Sequence, residues 1–206
     1  MKQSRLQKES LDTAARVYAT RIASAEEYLA HRGLSLEDAQ KAGLGVVVEP
    51  LPGHDSYVGR LSIPYITQSG VVDIRFRAIG PQEPKYMGLP GNETRMYNVS
   101  AIINADDTIA VCEGEIDTIT LHYKVGINAV GIPGVNNWKP HYRKLLQDFE
   151  TVIVFADGDQ PGQDFARKLS REVSGILVIN MPEGEDVNSM YLKNGVQWFK
   201  DKAGMR

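Results

Sequence analysis

The chain of 206 residues contains one cysteine, Cys112, and lacks any uninterrupted apolar run of the roughly 18 residues that a membrane-spanning helix needs. A single cysteine excludes an internal disulfide and a cysteine-rich zinc ribbon. The four histidines are scattered without the spacing of metal ligands, so no zinc is expected. The polar N-terminal residues show no signal-peptide pattern, which predicts a cytoplasmic protein without a membrane partner.

A strong charge of one sign is also missing. The 23 basic and 26 acidic side chains leave a net charge of −3, and residues 1–106 alone carry 12 of each sign. The chain therefore has no bulk positive field to attract nucleic acid, and any such binding requires a local basic surface. A hydrophobic content of 42% is ordinary for a globular protein, and the length suffices for one large or two small domains.

The first half mixes helical and strand patterns. Apolar spacing predicts helices over residues 5–31, and Ser35 is typical of the residue that caps a short helix ending near Lys41. Strands are predicted at Val46–Glu49, Leu61–Ile66 and Val71–Ile79, and a loop rich in proline and glycine at Gly80–Gly91. We interpret residues 1–106 as a smaller mixed α+β subdomain with antiparallel strands.

The last of these strands predicts a basic face. Strict alternation puts Arg75 and Arg77 on one side with Val71 and Asp73. The other side takes the remaining apolar residues: Val72, Ile74, Phe76 and Ala78.

From residue 107 the pattern becomes a regular β-α alternation. The predicted strands are Thr108–Cys112, Asn128–Gly131, Thr151–Ala156 and Gly175–Asn180. The predicted helices are Ile116–Lys124, Pro140–Asp148, Gln163–Val173, Val187–Lys193 and Val196–Lys202. Continuous apolar strands separated by helices predict an α/β fold with a parallel sheet flanked by helices over residues 107–206.

Acidic residues follow three of these four strands. Glu113 and Asp117 come after the first, Asp157 and Asp159 after the third, and Asp186 after the fourth. Because ligands of open α/β sheets bind outside the carboxyl ends of the strands, we expect these side chains to converge. Carboxylates with open positions suit Mg²⁺, and a pair of ions can serve an attacking and a leaving oxygen.

A structural interpretation of the same residues competes with this one. Asp-Gly-Asp is a common turn, and acids near helix N-termini are stabilised by the helix dipole. Three clusters at one sheet edge would repel one another without a cation, which favours the metal site.

The two main acidic segments resemble the TOPRIM signature. Val111-Cys-Glu113-Gly-Glu-Ile-Asp117 matches its Glu-Gly element, and Val154-Phe-Ala-Asp157-Gly-Asp159-Gln-Pro-Gly162 matches its Asp-x-Asp element. Primases, topoisomerases and some nucleases share this signature, so it leaves the reaction open.

Flanking segments resemble the catalytic core of DnaG-type and bacteriophage DNA primases. They are Tyr28–Ser35, Gly43–Gly45, Arg60–Pro64, Gly70–Arg77, Pro84–Tyr86, Met181–Asp186 and Gly195–Phe199. The resemblance covers roughly residues 25–200 and implies a nucleotidyltransferase that synthesises short RNA primers on single-stranded DNA.

The resemblance also implies site residues. Glu113, Asp157 and Asp159 match the catalytic acids and metal ligands, and Asp117 and Asp186 match supporting metal positions. The expected cofactors are two Mg²⁺ or Mn²⁺ ions. The positions that match nucleic-acid- or nucleotide-binding residues are Arg60, Arg75, Arg77 and Lys85, for which a solvated strand face is the alternative.

Partners follow from the same resemblance. We expect single-stranded DNA template, ribonucleoside triphosphates, a replicative helicase and a separate zinc-binding protein that recognises the template. Two alternatives remain open at this stage: a TOPRIM metal-dependent nuclease, and a non-catalytic accessory protein that binds single-stranded DNA or a helicase. Nucleotide incorporation and metal-dependent cleavage distinguish them.

Overall fold

The computed structural model describes residues 5–205, so the first four residues, part of the stretch without a signal-peptide pattern, lie outside the described chain. The chain divides into two compact units after Thr94. The predicted boundary lies near Asp106, twelve residues later. The intervening segment packs with the second unit, because Tyr97 forms a β-bridge with Gly131 and Ala101 joins the second unit's core.

The first unit is a four-stranded antiparallel sheet with helices. Its helices are α1 (Arg5–Ala19), α2 (Glu26–His31) and α3 (Leu36–Lys41). Its strands, which lie in chain order in the sheet, are β1 (Gly45–Val46), β2 (Arg60–Thr67), β3 (Gly70–Ala78) and β4 (Tyr86–Gly88). The expected capping residue, Ser35, accepts a hydrogen bond from the Asp38 amide and begins α3. Strand β4 was expected to be part of a loop.

The sheet departs from strict alternation at the start of β3. The register between β2 and β3 shifts between Tyr65 and Ile66, a β-bulge. As a consequence Val71 packs with Ile74 and Phe76 in one apolar cluster, against α1. The prediction that Val71 shares a face with Arg75 is therefore wrong at this end of the strand, because a bulge reverses the sides that follow it.

The second unit has the predicted parallel sheet. Its strands are β5 (Thr108–Cys112), β6 (Ala129–Gly131), β7 (Thr151–Ala156) and β8 (Ile176–Asn180), in the spatial order β6-β5-β7-β8. Apolar clusters lie on both faces of this sheet, which explains why its strands are continuously apolar. The helices are α4 (Ser100–Asn104), α5 (Glu115–Ile119), α6 (Arg143–Leu146), α7 (Gln160–Glu172) and α8 (Val187–Ala203).

Three of the predicted helices differ in detail. The one expected over 116–124 is α5 followed by a π-helical segment, Thr120–Val125. The two expected near the C-terminus are joined in α8, with a non-helical Gly195 at φ 69° between them. No helix within residues 5–205 is long and apolar enough to cross a membrane.

Candidate metal centre and basic surface

The acids that follow β5 and β7 lie at adjacent positions of one sheet edge. The two strands pair directly, with Val111 opposite Val154, and each ends one residue before its first acid. Glu113 follows β5 and Asp157 follows β7. Because the two strands are parallel neighbours, Glu113 and Asp157 lie at the same edge of the sheet, as expected from the sequence.

Glu113 is a partly buried carboxyl group at this edge. Burial, followed by the nearby negative charges of Asp159 and Asp117, raises its pKa to about 7. Its Oε1 atom is inaccessible to solvent and has no hydrogen-bond partner within the described chain. A buried carboxylate oxygen without a donor is costly, and a bound cation would compensate it.

Asp157 has the same properties to a greater degree. Burial raises its pKa to about 8, with contributions from Asp117, Glu113, Asp186 and Asp159. Its Oδ1 atom, like Glu113 Oε1, is buried and lacks a hydrogen-bond partner in the described structure. The other four acids expected at this centre thus all raise the pKa of Asp157.

Gly162 has no side chain, which lets α7 begin close to the Asp157 backbone and the Glu113 carboxylate. A β-carbon at this position would lie 2.5 Å from the carbonyl oxygen of Asp157 and 2.8 Å from Glu113 Oε1. Asp159 begins α7 by accepting a hydrogen bond from the Gly162 amide at 2.7 Å. One carboxylate oxygen of Asp159 is therefore engaged in helix capping, as the structural interpretation of the turn supposes.

Asp117 and Asp186 hold the first and last acidic segments in place. Asp117 Oδ1 accepts a hydrogen bond of 3.0 Å from the backbone amide of Asn188. The Asn188 side chain, 1% exposed, donates to Thr120 Oγ1 at 3.0 Å. Asp186 begins α8 and forms a capping box with Ser189.

Asn188 and Thr120 are the site residues that reasoning from the sequence missed. Asn188 stands two positions after Asp186, and that spacing was its only signal. A buried amide 68 residues from its partner cannot be assigned from a single sequence.

The residues fit a divalent cation. Among residues 5–205 no three His, Cys, Asp or Glu side chains already form a ligand set for a metal ion. The two partnerless carboxylate oxygens and the mutual repulsion of the acids nevertheless supply hard oxygen donors. Such an arrangement suits Mg²⁺ or Mn²⁺, which is held by few carboxylates and keeps several waters.

The predicted basic face of the first unit centres on Tyr86. Arg75 and Arg77 lie against its ring at 4.8 Å and 5.0 Å from the guanidinium carbon to the ring centre. Arg77 also donates a hydrogen bond to the Tyr86 hydroxyl and is 5% exposed. Cation–π contacts stabilise both side chains against the ring, and Arg75 is more exposed than Arg77.

The other two predicted basic residues occupy different environments. Lys85 is exposed. Arg60 pairs with Ala78 across the β2–β3 ladder, which places it on the side of the sheet that carries Phe76, opposite to Arg75 and Arg77. The structure therefore does not bring Arg60 into the predicted surface.

Comparisons with known proteins agree with this architecture. Residues 110–191 match the Toprim-like family model. The chain is 42% identical to the Gene 57 protein of Mycobacterium phage D29 over 144 residues, 68% of this chain and 94% of that protein. It is 26% identical to a DNA primase of Clostridium acetobutylicum over 184 residues, 84% of this chain and 31% of that protein.

A solved structure has a similar fold. The DnaG primase catalytic domain bound to single-stranded DNA superposes with a TM-score of 0.74 at 22% identity, over 96% of this chain and 80% of that one. The chain spans about a third of the length of the curated DNA primases that it matches.

The parallel sheet with acids at its carboxyl edge defines the second unit as a TOPRIM domain. The chain belongs to the same family as the Gene 57 protein of Mycobacterium phage D29, and it is similar to DnaG-type primase catalytic cores in sequence and in fold.

Proposed function

We propose that this protein is a DNA primase catalytic core, a nucleotidyltransferase that synthesises short RNA primers on single-stranded DNA. The observation that carries the proposal is the pair of buried, partnerless carboxylate oxygens, Glu113 Oε1 and Asp157 Oδ1, at neighbouring strand ends. The primases among its relatives support the choice of reaction over the other chemistries of TOPRIM domains.

The metal-binding residues of this proposal are Glu113, Asp157 and Asp159, with Asp117 and Asp186 in support. These residues would hold two Mg²⁺ or Mn²⁺ ions, whose charge would stabilise the attacking 3′-oxygen and the departing pyrophosphate of a ribonucleoside triphosphate. The glycines beside the acids, Gly114 and Gly162, leave room that a β-carbon would fill.

Glu113 also suits proton transfer. With a pKa of about 7, a carboxyl group exchanges protons readily near physiological pH. In this proposal Glu113 accepts the proton of the primer 3′-hydroxyl, and burial is the main cause of its basicity. Bound cations would lower that pKa, so Glu113 in the loaded site would be ionised, and able to accept a proton, at neutral pH.

Template binding is assigned to the basic face of the first unit. Arg75 and Lys85 are the side chains with exposure, and the buried Arg77 holds Tyr86 through a hydrogen bond to its hydroxyl. Single-stranded DNA is held there through phosphates and by stacking on the tyrosine ring. The structure of the related DnaG domain bound to single-stranded DNA is consistent with such a template.

Further partners belong to the same proposal. The chain spans only about a third of the length of the matched primases. We assign template recognition to a separate zinc-binding protein and recruitment to a replicative helicase.

The test is incorporation of labelled ribonucleotides on single-stranded DNA with Mn²⁺ or Mg²⁺, comparing the natural chain with Asp157→Ala. The matched control is Asp201→Ala, which removes an exposed acid near the end of α8. Incorporation by the natural chain and the control, but not by folded Asp157→Ala, supports the proposal. Retained synthesis in Asp157→Ala contradicts the metal site, and metal-dependent cleavage without incorporation selects the nuclease. Metal-independent binding of DNA without either activity selects the accessory protein.

A further inference from the structure

The Arg60 side chain donates hydrogen bonds to two consecutive backbone carbonyl groups in the first unit. Its Nη1 donates to the Pro84 carbonyl oxygen at 2.7 Å, and its Nη2 donates to that of Glu83 at 3.1 Å. The next carbonyl, that of Lys85, accepts a hydrogen bond of 2.9 Å from the Ala78 amide. Three consecutive peptide groups are therefore held just before β4 begins at Tyr86.

The position of Arg60 explains why it serves this segment. Arg60 is the first residue of β2 and faces Ala78, the last residue of β3, in the antiparallel ladder. It is 4% exposed, and its side of the sheet also carries Phe76, which packs against α1. A guanidinium at this depth must satisfy its donors within the protein, and two adjacent carbonyls match its forked geometry.

The held segment leads directly into the proposed template surface. Lys85 is fixed through its carbonyl oxygen while its side chain stays exposed, and Tyr86 pairs with Arg77 in the sheet. The far end of β4 is anchored as well, because the Tyr57 hydroxyl donates to the Gly88 carbonyl oxygen at 3.0 Å. The backbone that presents Lys85 and Tyr86 is thus held at both ends.

We infer that Arg60 is a positioning residue for the template surface: it acts through the Glu83 and Pro84 carbonyls and does not bind phosphate itself. This inference rests on the proposed binding of single-stranded DNA. A positioning role and a phosphate contact predict different salt dependence, because each phosphate neutralised adds about 0.7 to the slope of log affinity against log salt for single strands.

The experiment measures binding of a labelled single-stranded oligonucleotide against salt concentration for four proteins: the natural chain, Arg60→Lys, Arg60→Met and Lys85→Met. Arg60→Lys keeps the positive charge but loses the forked pair of guanidinium donors, so it separates the effect of charge from that of the paired hydrogen bonds. Both Arg60 variants are expected to bind about tenfold more weakly with an unchanged salt slope, as the loss of charge-assisted hydrogen bonds predicts. Lys85→Met is expected to lower the slope by about 0.7.

Two further readouts isolate the mechanism. Hydrogen exchange of the Ala78 amide is expected to become faster in both Arg60 variants and to stay unchanged in Lys85→Met. In priming assays the Arg60 variants should raise the KM for template while kcat at saturating template is retained. If Arg60→Met unfolds, Arg60→Lys gives the same comparison in a chain that keeps the buried charge.

Two results would overturn the inference. One is a slope that falls in Arg60→Met and returns in Arg60→Lys, which makes Arg60 a phosphate ligand. The other is affinity and Ala78 exchange like those of the natural chain in both Arg60 variants. If the natural chain binds no DNA, the proposed function fails, and the exchange of Ala78 alone still decides whether Arg60 holds this segment.

Discussion

The backbone amide of Asn188 donates a hydrogen bond of 3.0 Å to Oδ1 of Asp117, a residue 71 positions earlier in the chain. The first turn of α8 is thereby attached to α5, and the last acidic segment to the first. Asp117 contributes to the raised pKa values of both Glu113 and Asp157, so this contact sets the charge environment of the centre. Asp117 therefore combines a structural role with the metal-supporting role expected from the sequence.

The Thr120 hydroxyl completes this junction, which leads to a prediction about Thr120→Val. The change removes the hydroxyl that accepts a hydrogen bond from the buried side-chain amide of Asn188, and it should lower the free energy of unfolding by about 1–2 kcal/mol. Thr120→Ser keeps the hydroxyl and is the control, expected to lose less than Thr120→Val. Urea unfolding of the metal-free proteins measures both. Equal stability of the valine and serine variants would show that this hydrogen bond does not stabilise the junction.

The raised pKa values of Glu113 and Asp157 predict the pH dependence of stability without metal. These acids titrate near 4 when unfolded and at about 7 and about 8 when folded. The folded state therefore holds more protons across this window, and stability falls as pH rises from about 4 to about 8. Thermal unfolding in chelator at pH 5.5, 7 and 8.5 should show this decline.

Two comparisons sharpen the pH experiment. Asp157→Asn replaces the charge with a neutral group of the same shape, so its decline should be smaller and its stability at pH 8.5 higher than that of the natural chain. Stabilisation by Mg²⁺ should grow with pH in the natural chain, because cations and protons compete for the same oxygens, and should be reduced in Asp157→Asn. A natural chain whose metal-free stability rises between pH 5.5 and 8.5 would contradict the buried-carboxylate description.

Gly162→Ala should reverse the usual effect of this substitution in a helix. In an unconstrained helix interior, alanine is more stable than glycine by about 1 kcal/mol. Here the added carbon would meet the Asp157 backbone at 2.5 Å and Glu113 Oε1 at 2.8 Å. Overpacking of this kind should cost about 1–3 kcal/mol and displace the metal-binding acids.

Gly126→Ala is the matched control for that substitution. Its φ of 81° makes alanine unfavourable, while no atom lies within 4 Å of the added carbon. It should therefore cost about 1 kcal/mol from backbone strain alone and leave stabilisation by Mg²⁺ intact. Loss of that stabilisation in Gly162→Ala alone, measured by thermal unfolding with and without Mg²⁺, identifies crowding of the centre as the cause.

The layout of the second unit was predictable because its signals are local and repetitive. Apolar strands alternate with helices, and in a parallel sheet the acids after Cys112 and Ala156 must reach one edge. The basic face of the first unit was predictable only in part. Alternation correctly placed Arg75 beside Arg77, but a bulge that the side-chain pattern does not encode moved Val71 to the other side.

The sequence by itself determined the alternation of strands and helices after residue 107 and the acidic edge of the sheet, because both depend on hydrophobic periodicity and chain direction. Tertiary structure alone decided that Arg60 faces away from Arg75, that Arg77 is buried against Tyr86, and that Asn188 joins Asp117 and Thr120. These outcomes depend on register between strands and on hydrogen bonds between residues far apart in the chain. Such contacts form only when the core has packed, and a single sequence carries no local pattern that specifies them.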